Sequence, residues 1–292
     1  MSLFSISGFR NQAQHSKNEL IHALRKSRKK NTISKQDRAL LKKAKARDLC
    51  SVNHFARIRW GKAFCGELGN FFRFDGENPF PDQPLFFVTL SDISCTTSQD
   101  ASFVDVCAFK RKLQAGLRGL SYVGMMEPGL FVNISAESRW AGRSAVSWHV
   151  HAICWGENRK EMKRRFRRLN ENGGYLALLP SQLGAHQTEI PNTCLPDNPE
   201  RTFLADKLRY LLKSPQKAYR VYKTSRIEKN AELVPCVRQR KSELRKGDRI
   251  TLFHLMKSLR LGELAVAGGE GTNLMRRIKR RAVLIRGPWS SL

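Results

Sequence analysis

One short stretch constrains this chain more than any other: Ser147-Trp148-His149-Val150-His151-Ala152-Ile153. Two histidines flank a β-branched residue inside an apolar run. Read as a strand, its period of two puts His149 and His151 on one face and Val150 on the other. Two imidazoles side by side on a rigid element make half of a metal site.

A metal needs further ligands. Glu127 ends the run Tyr122-Val123-Gly124-Met125-Met126-Glu127, which reads as a strand and as the hairpin partner of the histidine strand, stopped by Pro128-Gly129. From there a carboxylate reaches the same face as the imidazoles. Two histidines and one carboxylate leave coordination positions open for substrate and water. Such mixed ligation suits Mg2+ or Mn2+ at a phosphate, with zinc as the alternative. A nucleophile is offered further on. Asn198-Pro199-Glu200 opens a helix that runs to about Lys213 and stops at Ser214-Pro215. That helix places Asp206, Tyr210 and Lys213 at i, i+4 and i+7, on one face. A phenol is a poor nucleophile until it loses its proton, which a nearby cation or metal favours. Asp206 is placed to take a proton from a water or an incoming hydroxyl.

The charge says what such a centre would act on. The chain carries 53 Lys+Arg against 25 Asp+Glu, a net +28 over 292 residues. A field of that sign attracts polyanions, of which nucleic acid is the commonest and an anionic membrane surface the rival. No apolar run reaches spanning length, and the N-terminus turns polar too early for a signal peptide, so a soluble, cytoplasmic protein is expected. The seven cysteines include no Cys-x-x-Cys pair, and their number is odd. Both facts argue against a disulfide framework and a thiolate zinc site, and point to reduced, mostly buried thiols.

The remaining elements follow from pattern. Residues 1 to about 50 read as a basic helical segment, densest at Arg25-Lys26-Ser27-Arg28-Lys29-Lys30, either a solvated arm or a clamp on the phosphate backbone. Phe55, Trp60, Phe64, Phe71 and Phe72 read as helix packing rather than a platform for bases. The proline-rich Asn78 to Pro84 marks a break, and a strand follows at Leu85 to Leu90, closed by Ser91-Asp92. A helix is expected over 102–119, an extra strand at Leu130 to Ile134, and the histidine strand over about 145–155. A strongly basic helix over 157–170 ends at Gly173-Gly174, and another strand covers 184–190. Strand, helix, strand, strand, helix, strand, helix is the order of an α+β, ferredoxin-like (RRM-like) central antiparallel sheet with helices on one face. The rest, after about 225, reads as mostly helical and basic, with a glycine turn at Gly268-Gly269-Glu270-Gly271. The expected organisation is a basic helical region at 1–80, a catalytic domain at 81–225 and a basic helical region at 226–292.

The order of these motifs resembles the His-hydrophobe-His (HUH) endonucleases, and within them the single-tyrosine initiators of plasmid rolling-circle replication. Phe87-Val88-Thr89-Leu90-Ser91 looks like the first family motif, Trp148-His149-Val150-His151 the second, and Tyr210-Leu211-Leu212-Lys213 the third. The resemblance covers about residues 85–215 and leaves the basic ends outside it. It implies the HUH fold and a transesterification on single-stranded or hairpin DNA at an origin. His149, His151 and Glu127 would hold the divalent metal. Tyr210 would attack, leaving a 5′-phosphotyrosine and a free 3′-hydroxyl. Lys213 would neutralise the intermediate, and Asp206, where the family usually has glutamate, would activate water at termination. Thr89 would face the sheet near the metal in a structural role. A host helicase and polymerase would be further partners, in a bacterial cytoplasm. Tyr219 and Tyr222 leave open a two-tyrosine scheme or a different nucleophile. A transposase or relaxase would share the chemistry; a non-catalytic basic nucleic-acid-binding protein, with the histidines in its core, is the alternative of another class.

Overall fold

The computed structural model describes residues 6–26, 34–72, 83–101, 103–134, 142–171, 174–179, 182–195, 198–227 and 233–285. Ser27 to Lys30 of the basic run, residues 78–82 of the proline-rich break, and Gly173 lie outside the described residues.

Helices α1 (Ile6–Lys26), α2 (Lys35–Leu40) and α3 (His54–Phe71) come first. The unit that carries the histidines follows: β1 (Leu85–Ser98), α4 (Val106–Ala115), β2 (Ser121–Val132), β3 (Ala145–Trp155), α5 (Arg159–Glu171) and β4 (Ala185–Ile190). These strands pair antiparallel in the order β4-β1-β3-β2. Next come β5 (Cys194–Leu195), β6 (Asn198–Thr202), α6 (Phe203–Leu212), β7 (Lys217–Ile227) and β8 (Leu233–Glu243). The chain then runs through α7 (Lys246–Met256), α8 (Leu261–Leu264), β9 (Ala265–Gly268) and α9 (Gly271–Leu284). β7 adds to β2 in parallel and β8 to β7 antiparallel, so the sheet of this α+β chain is mixed.

Several elements differ from the sequence pattern, each for a local reason. β2 does not stop at Pro128 but runs on to Val132. Its outer edge is shared: β9 pairs Tyr122 to Met125 and β7 pairs Leu130 to Val132. Pro128 sits in the stretch that neither strand pairs, where a missing N–H is tolerated. The helix of Tyr210 starts at Phe203 rather than near Asn198, because Thr202 Oγ1 accepts the Ala205 N–H at 3.1 Å as its cap and residues 198–202 pair with β5. Its last turn ends at Leu212, so Lys213 is an extended cap residue (φ −61°, ψ 158°). The helix expected over 102–119 is confined to Val106–Ala115 by Asp105, which accepts the Ala108 N–H at 2.9 Å, and by the glycines after it.

The largest difference lies after residue 215. Lys217–Ile227 and Leu233–Glu243 form a two-stranded ribbon, so the stretch after about 225, expected to be helical, begins as strand. Tyr219, Val221, Tyr222, Thr224 and Val237 favour the extended chain, and the interspersed lysines and arginines hid that preference. β9 is a second unexpected strand. Its Gly268 abuts the Tyr122 ring so closely that a Cβ would lie 2.3 Å from Tyr122 Cε1.

Helices cover both faces of the sheet rather than one. α4 lies on the face of the even-numbered β2 residues, where Gln114 donates to the Tyr122 hydroxyl at 3.0 Å. α5 sits beside it, with Arg165 donating to the Arg118 carbonyl at 3.1 Å. The other face takes α3 and α6. Trp60, Phe64 and Leu68 of α3 are fully buried in the main core, as expected for packing, and Phe71 and Phe72 hold the Trp155 ring at 5.4 and 5.3 Å. None of the described helices is long and apolar enough to cross a membrane. Cys50, Cys65, Cys95, Cys107, Cys154 and Cys236 are free.

Candidate functional site

The register of β2 and β3 builds the site. Glu127 stands directly opposite His149, and Met125 opposite His151, so all three polar side chains leave the same face. Gly124 allows the close approach of the two strands here, since a Cβ would lie 2.3 Å from the His151 carbonyl oxygen. Glu127 Oε1 is 3.2 Å from His149 Nε2, in hydrogen-bond geometry, and 3.2 Å from His151 Nε2. One ligand atom from each of the three residues falls within a 4.8 Å cluster.

Each imidazole is also held from behind. His151 Nδ1 lies 2.8 Å from Thr89 Oγ1, on the neighbouring strand β1. His149 Nδ1 lies 3.3 Å from the Ser147 carbonyl. With its Nδ1–H donating to Thr89 Oγ1, His151 turns its Nε2 lone pair towards Glu127, whereas His149 Nε2–H donates to Glu127 Oε1. Burial alone would raise the Glu127 carboxyl, but the hydrogen bond from His149 and the two imidazoles packed beside it overcome burial and hold the group well below the ordinary range. Burial also brings His151 down to about 4, against the opposing pull of Glu127. At neutral pH the set is therefore a carboxylate and a neutral imidazole at His151, the forms that bind metal.

Two atoms test whether a metal fits. Glu127 Oε2 and His151 Nε2 are buried and, among the described residues, lack a hydrogen-bond partner. Orphaned acceptors of this kind are costly unless something satisfies them, and a cation between the three side chains would satisfy both. The Glu127, His149 and His151 cluster can hold a metal ion. A pocket of about 390 Å³ opens beside it, lined among others by Ser147, Gln182, Tyr210, Tyr219 and Lys241.

α6 brings Tyr210 over this face. The Tyr210 ring is 5.1 Å from the His151 ring and 5.8 Å from Phe87, which itself stacks on His151 at 5.3 Å. Although Lys213 lies beyond the helix end, its Nζ sits 3.3 Å from the Tyr210 ring centroid. Burial raises the Tyr210 phenol far above its ordinary value, with Glu127 and Tyr219 adding to the effect. Burial depresses the Lys213 ammonium, which Glu127 partly offsets. Asp206 is not among the side chains that line the pocket; its carboxylate lies 3.5 Å from Arg209 on the same helix.

Other members of the site carry little sequence signal. Tyr219, from β7, lies flat on Phe131 at 4.7 Å and 15°. Gly129 separates it from His149, since a Cβ there would touch both rings at 3.3 to 3.4 Å. Gln239 and Lys241 enter the pocket from β8, and His186 from β4, in register with Thr89. Arg57 of α3 is buried behind α6. It donates to the carbonyls of Leu212 (3.3 Å), Lys213 (3.1 Å) and Ser51 (2.7 Å), closing the end of the Tyr210 helix. A hairpin parity argument reaches Glu127 and the histidines; nothing local in Arg57 or Lys241 announces such long-range contacts.

Compared with known proteins, the chain matches no family model, no curated protein and no solved structure.

Proposed function

We infer that this protein is a metal-dependent, site-specific nuclease that nicks and rejoins single-stranded DNA through Tyr210. Within that class it is assigned as an HUH endonuclease that initiates rolling-circle replication of a plasmid-like element. One observation carries the assignment: the Tyr210 ring stands 5.1 Å from His151, over the face that presents Glu127, His149 and His151. The β4-β1-β3-β2 order with strand-helix-strand-strand-helix-strand connectivity supports a ferredoxin-like sheet beneath the site. The net charge of +28 supports a polyanionic substrate.

Glu127, His149 and His151 would hold Mg2+ or Mn2+, which supplies charge neutralisation at a phosphoryl oxygen. The chain's own residues do the rest. Tyr210 enters protonated, since burial holds its proton. Its hydroxyl oxygen bonds to phosphorus as the bond from phosphorus to the 3′-oxygen breaks. The phenol loses its proton, and the departing 3′-oxygen gains one to become a free hydroxyl. The 5′-phosphate stays on Tyr210, where the Lys213 ammonium offsets its charge. Asp206, on the same helix, serves the later step by taking the proton of a water or an incoming 3′-hydroxyl. Single-stranded or hairpin DNA at an origin, a host helicase and polymerase, and the bacterial cytoplasm complete the proposal. A transposase or relaxase would use the same steps.

A non-catalytic nucleic-acid binder is the competing assignment. The Glu127–His149 hydrogen bond favours it, because it satisfies part of the cluster without an ion. The two separate on a denaturing gel after incubation of the protein with a pool of single-stranded DNA and Mn2+. A covalent protein–DNA adduct lost in Tyr210→Phe is the expected result. Tight binding without any adduct establishes the binder. An adduct that survives Tyr210→Phe and dies in Tyr219→Phe moves the nucleophile to Tyr219.

A further inference from the structure

Tyr219 and Tyr222 lie three residues apart in β7. In a helix that spacing would bring them to one side; in a strand it sends them to opposite faces. Tyr219 faces the pocket, together with Gln239 and Lys241. Tyr222 faces away and is 46% exposed. The register sets Tyr222 opposite Arg238, and Arg240 opposite Arg220 one pair further in. Arg220 is tied to Asp248 at 3.4 Å. Arg238 and Arg240 are exposed, and among the described residues neither makes an ion pair. Among the described ribbon residues the one carboxylate is Glu243, which sits on the pocket-side face and pairs with Lys217.

β8 is the last strand of the sheet, and charges on an edge strand keep it from pairing with another chain. That accounts for the arginines alone. An exposed aromatic ring works against edge protection, so Tyr222 needs another reason. An aromatic face beside two exposed guanidiniums is the chemistry that holds unpaired nucleotides: the ring stacks a base and the cations take the flanking phosphates.

The geometry points to the outer face of the β7–β8 ribbon, Tyr222 with Arg238 and Arg240, as a holding surface for single-stranded DNA outside the metal pocket. It rests on the assignment of a single DNA strand to that pocket. The ribbon separates the two: its inner face borders the site and its outer face carries a further stretch of the same strand.

The test uses the full chain in EDTA, where no nicking occurs. Fluorescence anisotropy measures binding of an oligothymidylate of about twenty nucleotides and of a duplex of similar length, across a range of salt. Tyr222→Ala is expected to weaken the oligothymidylate about 5- to 100-fold while leaving the duplex unchanged. Tyr222→Phe keeps the ring and stays within about threefold of the parent. The pair Arg238→Ser and Arg240→Ser lowers the slope of log affinity against log salt by about 1.4, two phosphates' worth on a single strand. Unchanged oligothymidylate affinity in Tyr222→Ala overturns the proposal, and so does an equal loss on duplex and single strand. The outcome is separable from that for the site. A protein that needs Tyr222 to bind but forms no Tyr210 adduct keeps this surface and removes the nicking assignment; an adduct-forming protein indifferent to Tyr222 does the reverse.

Discussion

Thr89 Oγ1 lies 2.8 Å from His151 Nδ1, and the two residues are direct partners across β1 and β3. One hydroxyl thereby sets which nitrogen of His151 faces Glu127. Thr89→Val keeps the shape of the strand and removes that contact. It should lower metal affinity about 10- to 100-fold and cost about 1 kcal/mol of stability. Calorimetric titration with Mn2+ checks the first, and urea denaturation the second.

The metal cluster makes a prediction about thermal stability. An ion that binds only the folded chain raises the melting midpoint, by about 2.7 kcal/mol of stabilisation at a hundredfold excess over its dissociation constant. The parent protein should gain this with Mn2+ or Mg2+, and Glu127→Gln should lose most of it. A parent midpoint indifferent to Mg2+, Mn2+ and Zn2+ would reduce the three residues to a buried polar cluster.

Arg57 links the N-terminal helices to the Tyr210 helix. Burial lowers its guanidinium to about 10, which leaves it charged at neutral pH. Arg57→Met removes one donor group from three carbonyls, two of them at the end of α6. A loss of about 2–4 kcal/mol is expected in urea denaturation. A loss below about 0.5 kcal/mol would mean that water replaces the side chain at those carbonyls.

Acid should weaken the fold through His54. Both of its ring nitrogens are buried, with no hydrogen-bond partner among the described residues. Burial, with Lys17 adding, lowers it from 6.5 to about 4. Between those values the unfolded chain binds a proton that the folded chain refuses, so stability falls as pH drops from about 6.5 to about 4, by at most ~1.4 kcal/mol per unit. Above that window both states are neutral and the dependence vanishes. His151 shifts in the same direction. His54→Leu should flatten the slope without loss at pH 7, read as melting midpoints across the window; an unchanged slope assigns the whole effect elsewhere.

The metal-ligand side of the site was legible because it rests on alternation. His149 and His151 share a face by parity, and Glu127 joins them through a hairpin whose strands are close in sequence. Tyr210 was legible as one face of a helix. What failed was whatever depended on distant pairing. Residues 217–243 carry the basic composition of a solvated helix, and only their union with β2 makes them a ribbon. β9 is four residues long and has no pattern of its own. Arg57 looked like one more cation in a basic segment, yet it is buried against carbonyls more than 150 positions away. Lys213 was placed on a helical face, and it reaches Tyr210 from an extended cap instead.

The divided edge of β2 has a consequence for how the protein is made. β1, α4, β2, β3, α5 and β4 are complete by residue 190, but the first half of the Glu127 strand stays uncovered until Ala265 to Gly268 arrive. A chain emerging from the ribosome therefore carries Glu127, His149 and His151 on a sheet with an open side, the kind of surface that recruits another nascent chain. Closing that side is a pairing of high sequence separation, slow by nature. The histidine strand is made early, but the sheet around it is sealed only once residues 265–268, more than a hundred positions later, have been synthesised.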